Sequence, residues 1–222
     1  MTSSPAAAQA RPSRGRRVPR PSGDDRELAI LATAERLLAE RPLSEISIDD
    51  LARGAGISRP TFYFYFPSKD AVLLSLLDRV VAEADQAVFG TGPYQPPPGD
   101  PARLWRDGIS TFFTIFSAHR AVVVAAAQAG NPEVRELWSR VMDKWVWQTE
   151  RIIQFERDRG AAPDGMPARD LAVTLNLMNE RVMFSIFCGE PPQLADERVV
   201  DTLLHVWLNT IYLDRATPPP IT

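Results

Sequence analysis

Five aromatic side chains stand in a row at residues 62–66, with an arginine and a threonine just before them. At about 100° per residue, consecutive side chains of a helix point all round its axis, so one core cannot bury all five. Phe62 and Phe66 lie one turn apart and are the pair expected to pack inward. The outer surface then carries hydroxyls, a cation and flat apolar rings, from Arg59, Thr61, Tyr63, Phe64 and Tyr65. Hydroxyls can reach phosphates and base edges, and rings can meet thymine methyls, so this mixture suits a DNA major groove.

The residues around this run predict two short helices joined by a tight turn. Ser47, three residues before Asp50, resembles a capping box for the first helix, and Ser58 caps the second. Gly54 and Gly56 supply residue types that allow a turn with φ > 0. Two helices joined this closely form a helix-turn-helix. The alternative is a helical hairpin whose aromatic residues are buried against the rest of the chain or a partner.

A further helix begins directly after the aromatic run. Ser68 is expected to cap it, which leaves Lys69 near its N-terminus. A phosphate is favoured there by the helix dipole and by the cation together. Lys69 is therefore predicted to contact the DNA backbone.

Two aromatic stripes at helical spacing occur later in the chain. Trp105, Phe112 and Phe116 share one helical face. The other stripe consists of Trp138, Met142, Trp145 and Thr149. A stripe of this kind is more often core than binding site, and that alternative stays open. Because so many tryptophans are hard to pack without gaps, the stripes also favour a largely apolar cavity for a small molecule.

Two asparagines lie one helical turn apart near the C-terminus. Helical projection places Asn176 and Asn179 on one face with Ala172, Met183 and Phe187. Buried amides need hydrogen-bond partners, so this pair either bonds across helices or serves a ligand.

Residues suited to catalysis are sparse. The chain has two histidines, His119 and His205, and one cysteine, Cys188. No nucleophile motif, phosphate-binding loop or metal-ligand spacing accompanies them. We therefore predict no catalytic residues, no metal and no cofactor. A helical enzyme acting on an apolar substrate remains an alternative, as does a DNA-binding protein without a ligand.

Charge is distributed unevenly along the chain. Residues 1–23 hold five arginines and no acidic residue, so the net charge of −3 leaves −8 for residues 24–222. A basic end on an acidic body is expected where that end meets a polyanion, although a solvated tail gives the same pattern. No apolar run approaches the roughly 20 residues of a membrane span, and no apolar segment follows the arginines as in a secretory signal. We expect a cytoplasmic protein without a membrane partner.

Apolar residues at helical spacing dominate the remaining chain. They predict further helices over 26–41, 70–89, 102–118, 119–129, 132–159, 167–188 and 195–213. The predicted fold is all-α with about nine helices: an N-terminal three-helix helix-turn-helix DNA-binding domain, followed by a larger helical bundle for ligand binding and dimerisation. The expected boundaries are a disordered basic arm (1–23), the DNA-binding domain (24–69), the bundle (70–214) and a Pro-rich tail (215–222).

Residues 48–73 resemble the signature of TetR-family regulators, in which a Tyr and a Phe precede the Ser-Lys-Asp that opens the fourth helix. The similarity extends over residues 27–72. It implies a homodimer whose paired second helices contact a near-palindromic double-stranded DNA operator. The DNA-contacting residues it implies are Ser58, Arg59, Thr61, Tyr63, Phe64, Tyr65 and Lys69. The implied dimer interface lies on the last two helices, with Val200, Leu204 and Leu208 as candidates.

Within that family, the whole chain resembles the ethionamide-type subgroup, through residues 21–35, 56–69 and 176–181, and departs from it most at 90–101. The resemblance implies an aromatic tunnel with an Asn pair as its polar anchor, for an elongated apolar ligand with one hydrogen-bonding group. The residues implied to line it are Trp105, Phe112, Phe116, Trp138, Met142, Trp145, Thr149, Asn176, Asn179, Phe184 and Trp207. The implied function is that of a repressor that the ligand releases from its operator by moving the fourth helix, with a neighbouring flavin monooxygenase gene as a target.

Overall fold

A computed structural model describes residues 23–90 and 100–213, and all regular secondary structure in these ranges is helical. The predicted all-α fold is thus confirmed. The predicted basic arm up to residue 22, most of the loop at 90–101 and the tail from residue 214 lie outside the described residues. The helices are α1 (Gly23–Glu40), α2 (Ile48–Gly54), α3 (Arg59–Tyr65), α4 (Lys69–Phe89), α5 (Pro101–Ala118), α6 (Arg120–Gln128), α7 (Pro132–Asp158), α8 (Ala168–Cys188) and α9 (Val199–Tyr212).

The three N-terminal helices form the predicted helix-turn-helix unit, and their caps are the ones that the sequence indicates. The Ser47 hydroxyl accepts from the Asp50 amide at 3.1 Å, while Asp50 Oδ2 accepts from the Ser47 amide at 3.1 Å. Ser58 caps α3 and Ser68 caps α4 in the same way, each accepting from the amide three residues on. Because these bonds satisfy first-turn amides that have no partner within the helix, they fix where each helix begins.

The turn between α2 and α3 uses its two glycines for different reasons. Gly56 has φ of +68°, which is the left-handed conformation expected of it. Gly54 ends α2 with an ordinary φ, so the expectation of positive φ is wrong for this residue. Its constraint is space: a Cβ on Gly54 would come within 3.0 Å of Cγ2 of Thr33 in α1. Gly54 therefore allows α1 and α2 to pack closely.

The long helix α4 joins the helix-turn-helix unit to the remaining helices. It packs on α1 of that unit and also on α5, α6 and α7. Buried residues form one continuous core from Ile30 in α1 to Ile211 in α9. The predicted domain boundary at residue 70 falls at the start of α4, and the core continues across it; the division into domains remains a prediction.

The C-terminal helices differ slightly from their predicted bounds. The segment predicted as one helix over 195–213 is a short 3₁₀ turn, Asp196–Arg198, followed by α9. No single helix among the described residues is long and apolar enough to cross a membrane. Taken together, α5 and α6 have the length and apolar composition of a membrane span, but they meet at a bend of 79°.

Candidate DNA-binding and ligand-binding sites

The aromatic run on α3 divides between the core and the surface. Phe62 and Phe66 are buried, as predicted, whereas Phe64 is 84% exposed and Tyr63 is 46% exposed. Tyr65 is half-buried and packs against the core, so the expectation that it lies largely outside is wrong. Burying a side chain of this size stabilises by about 1.5–3 kcal/mol, so the exposure of Phe64 is costly unless a partner covers it.

Arg59 is oriented along the exposed face of α3. Its guanidinium forms an ion pair with Asp49 at 3.2 Å and donates to the Tyr63 hydroxyl at 3.4 Å. The hydrogen bond to Tyr63 and the charge of Asp49 raise the pKa of Arg59, so it stays cationic. The guanidinium remains exposed and can leave Asp49 for a phosphate or a base edge, since exposed ion pairs contribute little.

The two hydroxyls at the start of α3 are already engaged. Ser58 Oγ and Thr61 Oγ1 lie 2.8 Å apart, and Ser58 Oγ also accepts from the Thr61 amide at 3.3 Å. Ser58 is exposed and Thr61 is half-buried. The structure thus gives Ser58 the capping role, and its predicted contact with DNA stays a prediction.

Lys69 has a structural role that the sequence did not indicate. Its ammonium donates to the backbone carbonyls of Leu43, Ser44 and Ile46 at 2.7, 3.3 and 3.1 Å. An ammonium has three N–H donors, and these bonds use all of them. The predicted contact between Lys69 and phosphate is therefore not available in this conformation. Instead, Lys69 ties the start of α4 to the segment between α1 and α2.

Among the described residues, the bundle forms a large, partly open cavity with a volume of about 650 Å³. Helices α4, α5, α7, α8 and α9 all contribute to its wall. This volume lies within the range of roughly 300–1,000 Å³ that is typical of small-molecule sites.

Most of the residues predicted to line a tunnel surround this cavity. The eight that do are Trp105, Phe112, Met142, Trp145, Thr149, Asn176, Asn179 and Trp207. The other three, Phe116, Trp138 and Phe184, are not part of the wall. They form an aromatic layer behind it: Phe116 stacks on Phe112 with centroids 4.6 Å apart, and Phe184 packs on Trp138 at 5.5 Å.

Several wall residues were not predicted. Gly108, Ile109 and Thr111 lie on the cavity side of α5, where projection from Trp105 and Phe112 could have found them. The contribution of α4 was missed because its apolar stripe was interpreted as core. That contribution consists of Ala84, Ala87, Val88 and Phe89.

The asparagine pair is the polar centre of the wall. Asn176 Nδ2 donates to the Thr149 hydroxyl at 3.0 Å and to the Ala172 carbonyl at 2.8 Å. Asn179 Oδ1 accepts from Trp207 Nε1 at 3.0 Å. These bonds leave the Asn176 Oδ1 acceptor and the Asn179 Nδ2 donors for a group in the cavity. The pair can therefore bind a carbonyl, and with it an adjacent N–H.

The indole N–H groups of the cavity tryptophans all have protein acceptors. Trp105 Nε1 donates to the Tyr212 hydroxyl at 2.9 Å, and that hydroxyl lies 3.2 Å from the carboxylate of buried Glu156. Burial raises the pKa of Tyr212 well above its usual value, so it remains a neutral phenol. Trp145 Nε1 donates to Asp85 Oδ1 at 2.6 Å. A ligand therefore meets the rings of these tryptophans, and its polar contacts fall to the asparagines or to other polar residues of the wall, which include Thr111, Thr149 and Glu180.

Neither histidine lines the cavity. His119 stands at the junction of α5 and α6, where its ring nitrogens contact Glu35 of α1 and Glu83 of α4. His205 is exposed and contacts Asn209 on its own helix. Burial raises the pKa of the Cys188 thiol, which disfavours a reactive thiolate. No group of acidic, His and Cys side chains in the described ranges could hold a metal ion.

One of the three candidates for a dimer contact is excluded. Leu204 is buried within its own chain, because it is on the inner side of α9, so its predicted outward position is wrong. Val200 and Leu208 are partly exposed and remain candidates. On the neighbouring helix α8, Leu177 is a further candidate for a dimer contact, because this large apolar side chain is 49% exposed.

Comparison with known proteins agrees with this architecture. Residues 30–76 match the family "Bacterial regulatory proteins, tetR family", and residues 105–213 match "Transcriptional regulator EthR, C-terminal domain". The chain is 60% identical over 214 residues to the HTH-type transcriptional regulator EthR of Mycobacterium tuberculosis, covering 96% of this chain and 98% of that protein. EthR of Mycolicibacterium smegmatis is 55% identical over 208 residues, with 93% and 95% covered.

A solved structure shows the same fold at low sequence identity. It is a transcriptional regulator from Saccharomonospora viridis in complex with choline, with a TM-score of 0.70, 22% identity, and coverage of 86% of this chain and 100% of that one. The fold and both family matches agree with the helix-turn-helix and the bundle described above. The chain therefore belongs to the TetR family of helix-turn-helix transcriptional regulators, close to the EthR proteins of mycobacteria.

Proposed function

We propose that this protein is a dimeric cytoplasmic repressor that an elongated, largely apolar small molecule releases from its DNA operator. The observation that carries the proposal is the position of α4. Its C-terminal part lines the 650 Å³ cavity, whereas its first residue, Lys69, is hydrogen-bonded to the segment between α1 and α2 of the helix-turn-helix unit. A change at the cavity wall thus has a direct mechanical path to the DNA-binding surface.

The DNA half of the proposal rests on the exposed face of α3. Phe64 and Tyr63 offer apolar and hydroxyl contacts for base edges, and Arg59 supplies a mobile cation. A two-fold dimer would place two such helices about 34–36 Å apart, in successive major grooves on one side of the duplex. By similarity to the ethionamide-type subgroup, we propose a neighbouring flavin monooxygenase gene as one target.

The ligand half rests on the shape and polarity of the cavity. Its walls are mainly aromatic and aliphatic, while the indole donors of Trp105, Trp145 and Trp207 are occupied within the protein. We propose the asparagine pair as the polar contact, with Asn179 Nδ2 donating to a ligand carbonyl and Asn176 Oδ1 accepting from an amide N–H, because these two atoms are left over by the bonds within the protein. We propose an amide or ester flanked by apolar arms as the ligand class.

Release requires that the ligand bind two conformations unequally. In the proposed mechanism, the filled cavity favours a position of α4 in which the two α3 helices no longer match the spacing of successive grooves. Such coupling typically amounts to about 5–150-fold in DNA affinity.

The test uses the full-length protein, a DNA fragment from upstream of its own gene, and N-octylbenzamide as the probe. We expect salt-sensitive DNA binding, a rise in melting temperature with the probe, and a loss of DNA affinity of about tenfold or more at saturation. A matched probe with the amide replaced by two methylene groups should bind more weakly. If the saturating probe does not change DNA binding, the ligand half of the proposal is contradicted and the protein is a ligand-independent regulator. Absence of DNA binding at low salt would contradict the proposal as a whole.

Two variants distinguish a residue that contacts the ligand from one that lies behind the cavity wall. Asn179→Leu should weaken the response to N-octylbenzamide but not to the methylene probe, because only the amide uses the Asn179 donors. Phe184→Leu is the control, since Phe184 lies behind the wall and should leave the response to both probes unchanged. An unaltered amide response in Asn179→Leu would show that the asparagine pair is not the anchor.

A further inference from the structure

One tryptophan of the cavity wall is bonded directly to α4. Trp145 Nε1 donates to Oδ1 of Asp85 at 2.6 Å, and the other carboxylate oxygen of Asp85 pairs with the Lys144 ammonium. The Asp85 side chain is 17% exposed and is absent from the cavity wall. A hydrogen bond from an indole to a partly buried carboxylate is charge-assisted, so it is stronger than a bond between neutral groups and is costly to break.

Three other tryptophans donate to acceptors outside α4. Trp105 donates to Tyr212 of α9, Trp207 donates to Asn179 of α8, and Trp138, behind the wall, donates to Glu180 of α8. Each of these bonds joins helices of the bundle to one another. Among the described residues, the bond between Trp145 and Asp85 is thus the one that links a cavity indole to α4.

The ring of Trp145 is held tightly on its other sides. It makes edge-to-face contacts with Phe112, Phe116 and Trp138, with centroids 5.1, 5.8 and 5.9 Å apart. Protein interiors are close-packed, so there is no void behind this ring into which it could move when a ligand presses on it. A displacement of Trp145 must therefore carry its N–H group with it, and the acceptor is on α4.

The helix that receives this displacement is anchored to the DNA-binding unit. Lys69, at the first position of α4, donates to three carbonyls between α1 and α2. Asp85 lies near the other end of α4, close to the wall residues Ala84 and Val88. A shift of α4 at Asp85 is thus passed along a continuous helix of 21 residues to the helix-turn-helix unit.

We propose that Asp85 is a positioning residue that transmits occupancy of the cavity to the DNA-binding unit through its hydrogen bond to Trp145. Asp85 touches neither the ligand nor DNA in this proposal, so its loss affects the coupling between the two sites rather than either affinity alone. This inference rests on the function proposed above.

The test measures the coupling factor, defined as the ratio of the operator Kd values with and without saturating N-octylbenzamide. For Asp85→Leu we expect this factor to fall by about fivefold or more, while the operator Kd without probe and the probe Kd without DNA each stay within about threefold of wild type. Asp85→Asn keeps an acceptor for Trp145 and should retain most of the coupling. Lys144→Met removes the ion pair but not the indole bond, so it is the matched control and should couple like wild type.

A second variant keeps the test decisive if Asp85→Leu folds poorly. Trp145→Phe removes the same bond from its donor side, and in a double mutant with Asp85→Ala, which removes the acceptor, the two losses of coupling should not add. Wild-type coupling in a folded Asp85→Leu protein would overturn the inference, and so would a loss of probe affinity equal to the loss of coupling. A wild-type protein without any coupling would instead contradict the proposed function itself.

Discussion

Replacing Gly54 by alanine should destabilise the helix-turn-helix unit, because this position has no room for a methyl group. An ideal Cβ there comes within 3.0 Å of Thr33 Cγ2, and it also lies 3.3 Å from Oγ1 and 3.4 Å from Cβ of Thr33. Thr33 is buried and β-branched, so its χ1 angle has little freedom to relieve the contact. Either the Thr33 side chain leaves its rotamer or α2 moves away from α1.

The magnitude follows from two opposing terms. Overpacking of this kind costs about 1–3 kcal/mol, whereas alanine gains up to about 1 kcal/mol over glycine in helix propensity. We therefore expect Gly54→Ala to lower the free energy of unfolding by about 1–2 kcal/mol. For a chain of this length, that corresponds to a decrease in melting temperature of about 2–8 °C.

A double-mutant cycle assigns the effect to the contact. Thr33→Ser deletes Cγ2, so Gly54→Ala should cost about 1 kcal/mol less in that background, as measured by urea unfolding. Gly108→Ala is the control for helix propensity, because a Cβ on Gly108 meets no atom within 4 Å and should stabilise the protein slightly. If Gly54→Ala lowers the free energy of unfolding equally in the wild-type and Thr33→Ser proteins, this reasoning is refuted.

Three further predictions concern charge, burial and capping. Deleting residues 1–22, which carry five arginines, should reduce the slope of log K for DNA against log salt by up to about 4–5; an unchanged slope would show that these arginines do not contact phosphates. Tyr212→Phe should cost about 1–3 kcal/mol in urea unfolding, because the buried Trp105 N–H loses its acceptor; a neutral substitution would argue against that bond. Ser47→Ala should cost about 1 kcal/mol at pH 7. Hydrogen bonds from Ser47 lower the pKa of Asp50 in the folded state, so their contribution is complete above the unfolded pKa of about 3.9 and is lost as pH falls below it. The difference between wild type and Ser47→Ala should therefore shrink in unfolding experiments below pH 4, and a constant difference would contradict this assignment.

The features that could be predicted from sequence depend on neighbours along the chain. The serine caps at 47, 58 and 68 bond to amides three residues on, so a local pattern is enough to find them. The cavity wall was predicted in large part because Trp105, Trp145 and Asn176 follow helical spacing, with the family resemblance deciding between core and tunnel.

The features that were missed depend on which helices meet. Lys69 bonds to carbonyls 23–26 residues away, and Asp85 bonds to Trp145 60 residues away. Likewise, the close approach of α1 decides the role of Gly54, and nothing in the residues next to Gly54 indicates it. The positions of Phe116 and Phe184 behind the wall depend on ring packing between three helices, which spacing along one helix does not determine.

The most direct test of the central claim is the affinity of N-octylbenzamide for the protein with and without bound upstream DNA, measured by calorimetry. If the cavity and the DNA-binding surface report on the same two conformations, the probe must bind the DNA complex more weakly, and by the factor by which it weakens DNA binding. We predict a reduction of about tenfold or more. Equal affinity of the probe for free and DNA-bound protein would contradict the account, since the cavity would then be occupied without consequence for DNA.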